Sequence, residues 1–243
     1  MQLNSVRSSK WITSNKRSAV RGTGDVFELV FTQAIPQQVT ADYALENLTW
    51  TCNFSVTGSQ FRSCRARGLL VSTPGKVVIA DNVFESSGSA ILISGDANGW
   101  FESGAVKDVM ITRNTFKSPC MTSMYQFCEA VISVFPIIPQ KNVATLFHRN
   151  ITVTDNRFEL YDYPVLYALS VDGVEFSNNR LVRSYDFEPF HHRQSGLTFE
   201  YCKRVTVRGN TVEGEVLGNT VKLVHTPGKE YKTDKNSFFK IIK

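Results

Sequence analysis

The sequence predicts an all-β chain wound as a parallel β-helix solenoid, and three observations carry that prediction. One pattern recurs six times: apolar, spacer, apolar, two spacers, a small polar residue, spacer, apolar. Its rungs are Phe54, Val56, Ser59, Phe61; Val77, Ile79, Asn82, Phe84; Val109, Ile111, Asn114, Phe116; Ile151, Val153, Asn156, Phe158; Val174, Phe176, Asn179, Leu181; and Val205, Val207, Asn210, Val212. The polar positions stand 23, 32, 42, 23 and 31 residues apart, so a unit of about 23 residues recurs with insertions, as in a solenoid. Within each rung the first two apolar residues are two apart, the period of a strand, whereas helical repeats space them by three and four.

Composition agrees. A length of 243 residues, 42% hydrophobic and 20% charged, suits one large ordered domain and argues against disorder. The net charge of +5 does not mark a nucleic-acid binder, because it resides at one end. Arg7, Lys10, Lys16, Arg17 and Arg21 fall in residues 1–24 without an acid, which leaves 22 bases against 22 acids in the remainder. Residues 1–24 are therefore expected to be a basic, poorly ordered segment, residues 25–228 the β-helix domain, and residues 229–243 a tail or cap.

Along the chain, 26–31 reads as a strand and 41–51 as the lead into the first coil. In each rung the two apolar residues around one spacer point inward, and the Asn occupies the bend. There it is expected to take up unusual backbone angles and bond the backbone or the Asn one coil along. The residue two beyond returns inside, so Phe61, Phe84, Phe116 and Phe158 should form an aromatic stack continued by Leu181 and Val212. A second strand column follows at 68–72, 90–94, 130–133, 166–170 and 197–200, and 220–224 closes a final strand. The apolar run Phe238, Phe239, Ile241 and Ile242 is placed to cap the column, whose open edge would otherwise pair with other chains.

The insertions lie beside that second column: 95–104 after its strand, segments on both sides of 130–133, and 185–193 before its strand. Loops at both ends of one column wall a groove, and such loops are where chemistry resides. The loop 95–104 sets Asp96 and Glu102 around Trp100 and Phe101 between glycines, a combination suited to sugars, whose hydroxyls meet carboxylates and whose ring faces meet Trp; the plain alternative is a surface loop with its aromatics packed down. Glu129, beside Tyr125, Phe127 and Cys128, is either a groove-facing carboxylate or an ordinary exposed acid. Arg65 and Arg67, before the neighbouring strand, either neutralise a carboxylate and hold hydroxyls or form surface ion pairs. Asp186, Glu188, His191 and His192 belong to an aromatic loop read as groove wall in preference to a metal site.

Glycoside hydrolysis needs a protonated carboxyl and an ionised one, and Asp96, Glu102 and Glu129 supply enough. With the strands aligned at Ser94 and Ser133, Asp96 and Glu129 stand about 20 Å apart at strand rise, so the loop must fold back for the pair to act. Cys52, Cys64, Cys120, Cys128 and Cys202 lack CxxC spacing and read as small buried or half-buried residues, with Cys52–Cys64 or Cys120–Cys128 the bridges available in an oxidising compartment. No apolar run reaches the ~18 residues of a membrane span.

The stretch 65–84, RARGLLVSTPGKVVIADNVF, followed by 89–104, SAILISGDANGWFESG, resembles glycoside hydrolase family 110, and 120–139, with YQFCEAVIS at 125–133, extends the similarity. The resemblance implies a right-handed parallel β-helix and metal-independent, cofactor-free inverting hydrolysis of terminal α-1,3-linked galactose. The implied partner is a galactose-terminated glycan, with no nucleic acid and no membrane span; the oligomeric state is left open. It assigns Asp96 and Glu129 as acid and base in either order, with Glu102, Trp100, Arg65, Arg67 and Tyr125 shaping the subsite. Ser72 and Thr73 stand where a further acid is expected. Family members are longer, so the chain is expected to be a partial member, from a periplasmic or secreted bacterial enzyme. The competing readings are a non-catalytic β-helix that binds glycans or serves as structure and, last, a polysaccharide lyase, which would need a denser acid cluster.

Overall fold

The computed structural model describes residues 14–19, 21, 27–32, 34, 46–96, 99–100, 102–125, 127–215, 217–235 and 237–242. Three parallel sheets run the length of the column. The first holds Phe54–Thr57, Lys76–Ala80, Asp108–Thr112, His148–Thr154, Val171–Ser177, Lys203–Arg208 and Tyr231–Thr233. The second holds Gln60–Arg62, Val83–Glu85, Thr115–Phe116, Arg157–Leu160, Arg180–Arg183 and Thr211–Glu213. The third holds Arg67–Val71, Ser89–Ile93, Ile132–Val134, Leu166–Leu169, Leu197–Glu200, Thr220–Val224 and Lys240–Ile242.

Phe54, Val77, Val109, Ile151, Val174 and Val205 pair one after another in the first sheet, so the sequence repeat is also the hydrogen-bonding register. Register holds because one face of each strand is buried, and a one-residue slip would turn every apolar side chain outward. Val77, Ile79, Ile111, Val153, Phe176, Val205 and Val207 are fully buried in one continuous core.

The bends between the first and second sheets form a ladder of side-chain amides. Ser59 N donates to Asn82 Oδ1 at 2.9 Å, Asn82 N to Asn114 Oδ1 at 3.0 Å, Asn114 N to Asn156 Oδ1 at 2.9 Å, Asn156 N to Asn179 Oδ1 at 3.0 Å, and Asn179 N to Asn210 Oδ1 at 2.9 Å. The left-handed backbone falls one residue earlier than the sequence suggested. Gly58, Asp81, Arg113, Asp155, Asn178 and Gly209 have φ of 53–62°. Turning the chain on the preceding residue leaves each Asn inside the column, where its Nδ2 also reaches a carbonyl of the coil before, as from Asn114 to Ile79 O at 2.9 Å.

The phenylalanines stack as expected, with centroids 4.8 Å apart for Phe61 and Phe84, 5.2 Å for Phe84 and Phe116, and 4.6 Å for Phe116 and Phe158. Leu181 and Val212 continue this register. Burying each such ring contributes about 1.5–3 kcal/mol. His148 is also fully buried, and its Nδ1 accepts from Val106 N at 3.1 Å. Burial pushes its imidazole down to about 3.

At the ends, the structure adds detail. Within the segment 1–24, expected to lack order, Ser14–Ala19 pairs antiparallel with Phe27–Phe31, a hairpin separate from the three parallel sheets. The pairing answers the strand's need for backbone partners. In the tail 229–243, Tyr231–Thr233 and Lys240–Ile242 extend the first and third sheets, and Phe239 buries its ring edge-on to Phe176 at 5.9 Å. All five cysteines are free thiols: Cys120, Cys128 and Cys202 are buried, Cys64 is half-buried and Cys52 exposed.

Candidate active site

Along the third sheet, Leu70, Leu92, Ser133, Tyr167, Thr198 and Lys222 share one register, and their neighbours Ile91, Ile132, Leu166, Leu197 and Val221 fill the core. Side chains alternate across a strand, so this first set forms the outer face, which the insertions flank. Ser133 lies opposite Leu92 rather than Ser94. The two-residue difference arises where the chain folds before the strand: Glu129 N and Ala130 N both donate to Ser133 Oγ at 3.0 Å, and Val131 O accepts from both Ala90 N and Ile91 N.

Among its described residues, the loop 95–104 is held by bonds to Asp96 and to Glu46. Gly99 N donates to Asp96 Oδ1 at 2.9 Å and Glu102 N to Asp96 O at 2.8 Å, while Ser103 Oγ and Gly104 N both donate to Glu46. At Gly95 a Cβ would come within 2.8 Å of the Phe147 ring, so only glycine allows that contact. Asp96 is buried and Glu102 half-buried. Burial first, and then the charge of Asp96, hold the Glu102 carboxyl above the usual carboxylate range against the opposing charge of Arg67. Arg67 begins a third-sheet strand and Asp96 lies beyond the end of the next, so Glu102 can respond to both only because the loop folds back. Trp100 is 71% exposed, standing away from the coil, and Phe101 lies outside the described residues.

Glu129 anchors a second group. Arg193 donates through Nε at 2.9 Å and through Nη2 to the same oxygen, Glu129 Oε2, and His192 Nε2 stands 4.0 Å from it. The Arg193 guanidinium lies 4.5 Å from the centroid of the Tyr167 ring, and Tyr167 Oη donates to Glu200 Oε2 at 2.6 Å. Burial and then this bond to Glu200 push the Tyr167 phenol up, so it stays a hydrogen-bond donor. Lys141 Nζ completes the group at 3.3 Å from Glu200 Oε1. The loop carrying Arg193 is tethered by buried Asp162, whose Oδ2 accepts from Phe190 N and His191 N, both at 2.9 Å. Arg65 stacks over Tyr125 at 5.0 Å.

The structure thus brings Asp96 together with Glu102 and Arg67, and Glu129 together with Arg193, His192 and Tyr167, as two groups flanking one sheet. Arg193, Tyr167, Glu200 and Asp162 escaped sequence reasoning. Arg193 closes the insertion 185–193 and Glu200 ends a third-column strand, which were the available signals; nothing in the spacing joins Asp162 to its loop. Among the described residues, no three His, Cys, Asp or Glu side chains are grouped to hold a metal ion, and no helix is long and apolar enough to cross a membrane.

A family model described as the right handed beta helix region matches residues 47–238. The chain is 52% identical over 229 residues, 94% of its length, to alpha-1,3-galactosidase B of Bacteroides thetaiotaomicron, covering 37% of that protein. It is 42% identical over 199 residues to alpha-1,3-galactosidase B of Bacteroides fragilis, covering 79% of the chain and 33% of the relative. Against alpha-1,3-galactosidase A of the same species it is 34% identical over 226 residues, 92% of the chain and 37% of the relative. The chain therefore spans about a third of the length of these curated relatives. A match over most of the column, in line with its three parallel sheets, shows that the chain belongs to the right-handed β-helix family.

Proposed function

We propose that the chain carries the acid–base site of a glycoside hydrolase that removes terminal α-1,3-linked galactose with inversion. The observation that carries this reading is the presence of two carboxylate groups of unlike electrostatic character beside one sheet. Glu102, next to Asp96, holds its proton more tightly than an ordinary carboxyl, while Glu129 is ion-paired with Arg193. The galactosidase names of the relatives support the substrate class.

In this scheme the Asp96–Glu102 pair gives a proton to the glycosidic oxygen as its bond to the anomeric carbon breaks. Glu129, ion-paired with Arg193, accepts a proton from a water that attacks the opposite face, as an inverting pair requires at about 6.5–9.5 Å separation. Arg65 and Arg67 bond sugar hydroxyls, and Trp100 and Tyr125 offer flat surfaces to the sugar's apolar face. The carboxyls handle both proton transfers, so the scheme calls for no metal or cofactor. Galactose release from α-1,3-galactobiose, with the first anomer followed by NMR, is the test. Asp96→Asn and Glu129→Gln should each lower turnover about 10²–10⁴-fold, and the first product should be β-galactose. Absence of turnover by the folded protein would refute the reading.

The second reading is a non-catalytic glycan-binding β-helix. Ser72 and Thr73, in place of a further acid, favour it. Galactoside binding without hydrolysis would decide for it.

A further inference from the structure

The edge at which the third-sheet strands end, from which the loop 95–104 also leaves, carries an open depression on later coils, lined by Asn142, Val143, Tyr201, His225, Thr226 and Pro227. Tyr201 directly follows the strand Leu197–Glu200, and His225 follows Thr220–Val224 on the next coil. Their rings stack with centroids 4.6 Å apart and planes 21° from parallel.

Both residues have φ of 49°, in the left-handed region. A side chain there costs about 1–2 kcal/mol, which glycine avoids. The equivalent bend one coil earlier uses the small Ser170, φ 57°. Backbone geometry therefore does not ask for an aromatic pair at this position. The base beneath the rings is firm. Thr226 Oγ1 accepts from Cys202 N and donates to Phe199 O, both at 2.9 Å, and Tyr201 packs against the outer-face cluster of Ala130, Tyr167 and Leu169.

The surroundings are polar in the way a sugar requires. Lys141 and Glu200 stand paired at 3.3 Å beside Tyr201, and Asn142 uses its Oδ1 to hold Ala144 N and Thr145 N, a turn that leaves its amide NH₂ as a donor. The exposed His225 ring, stacked on Tyr201, with the Asn142 amide in the same depression, matches a pyranose, which has C–H groups on one face and hydroxyls at the rim. Glu200 also links this edge to the candidate site, because it accepts from the Tyr167 hydroxyl beneath Arg193. Tyr201 lies two coils and His225 three coils beyond the coil of Ile132–Val134, about 10 to 14 Å along the axis. That span exceeds one sugar ring.

We propose that the Tyr201–His225 pair is a second glycan subsite, which seats a pyranose remote from the bond that is cleaved; the class of ligand rests on the functional reading above. Two probes test it: a linear tetrasaccharide ending in α-1,3-linked galactose, and methyl α-galactoside. The tetrasaccharide should shift the NMR signals of the His225 ring and the monosaccharide should not. His225→Gly and Tyr201→Gly suit the left-handed backbone and should weaken the tetrasaccharide about three- to tenfold, the loss of one stacking contact, with methyl α-galactoside unaffected. Should Tyr201→Gly disturb the cluster beneath it, the more exposed His225→Gly decides alone. Unmoved His225 signals, or equal weakening of both probes, overturns the subsite. Hydrolysis with unchanged tetrasaccharide affinity in the variants removes the subsite and leaves the hydrolase; tetrasaccharide binding that depends on His225 without any hydrolysis does the reverse.

Discussion

Replacing Asn114 with Ala tests the amide ladder at its centre. Asn114 Oδ1 accepts from Asn82 N and from Asn82 Nδ2, both at 3.0 Å. Its Nδ2 donates to Ile79 O at 2.9 Å and to Thr112 O and Asn156 Oδ1, both at 3.0 Å. Its side chain is buried, so water cannot take over these roles without opening the coil. The variant strands the Asn82 N–H and removes a donor from Ile79 O. At about 1–3 kcal/mol for each buried group left unpaired, the loss should be about 3–5 kcal/mol. Asn210→Ala provides the comparison, because Asn210 ends the ladder and is only half-buried. Solvent can replace part of what it loses, and the cost should be about 1 kcal/mol. Urea unfolding of the two variants and the parent measures both. A loss below about 1 kcal/mol for Asn114→Ala, or equal losses at the two positions, would refute the view that buried amide pairing holds the coils together.

Two further outcomes follow from the described geometry. His148 is held down to about 3 from an ordinary 6.5, so the folded chain binds fewer protons than the unfolded one between those values, and stability present above pH 6.5 is lost as pH falls. From pH 6.5 to 4.5 this group alone should cost about 2 to 3 kcal/mol. His148→Asn keeps an acceptor for Val106 N but does not titrate, and unfolding curves of the two proteins that run parallel in pH would contradict this. Asp162→Ala should free the amides of Phe190 and His191 that now bond its carboxylate; hydrogen exchange there should rise about tenfold or more, for a loss of 1–3 kcal/mol, and unchanged exchange would show that other contacts hold the loop.

The column was legible because its physics is local and periodic. Alternation at Val77 and Ile79 fixes a buried strand face, and repetition at Val109 and Ile111 fixes the register one coil on. Asn82, Asn114 and Asn156 announced their ladder, although it is Asp81, Arg113 and Asp155, of no common residue type, that make the turn. Candidate-site partners were less legible because insertions follow no period. Glu129 was visible as an acid in an apolar setting, yet its partner Arg193 comes from another insertion 64 residues on. Glu102 comes under the charges of both Asp96 and Arg67, with Glu102 N bonded back to Asp96 O and Ser103 and Gly104 held by Glu46, contacts that composition does not encode. The strand Ser14–Ala19 was not legible because its segment reads as a poorly ordered terminus, whereas it pairs with Phe27–Phe31.

The amide ladder also has a direction. From Ser59 to Asn179, the backbone N–H of every member donates toward the next coil, and each Oδ1 from Asn82 to Asn210 accepts from the previous one. The side-chain dipoles therefore add along the axis, and neighbouring hydrogen bonds polarise one another. The parallel sheets surround this electrically polar thread, whose positive end emerges at Asn210. An acid meets it there: Asp234 Oδ2 accepts from Gly209 N at 2.6 Å, at the bend immediately before the last asparagine. The arrangement is the side-chain counterpart of a carboxylate at the start of an α-helix, and it gives the carboxyl-terminal end of this solenoid an electrostatic polarity that its length and shape alone do not supply.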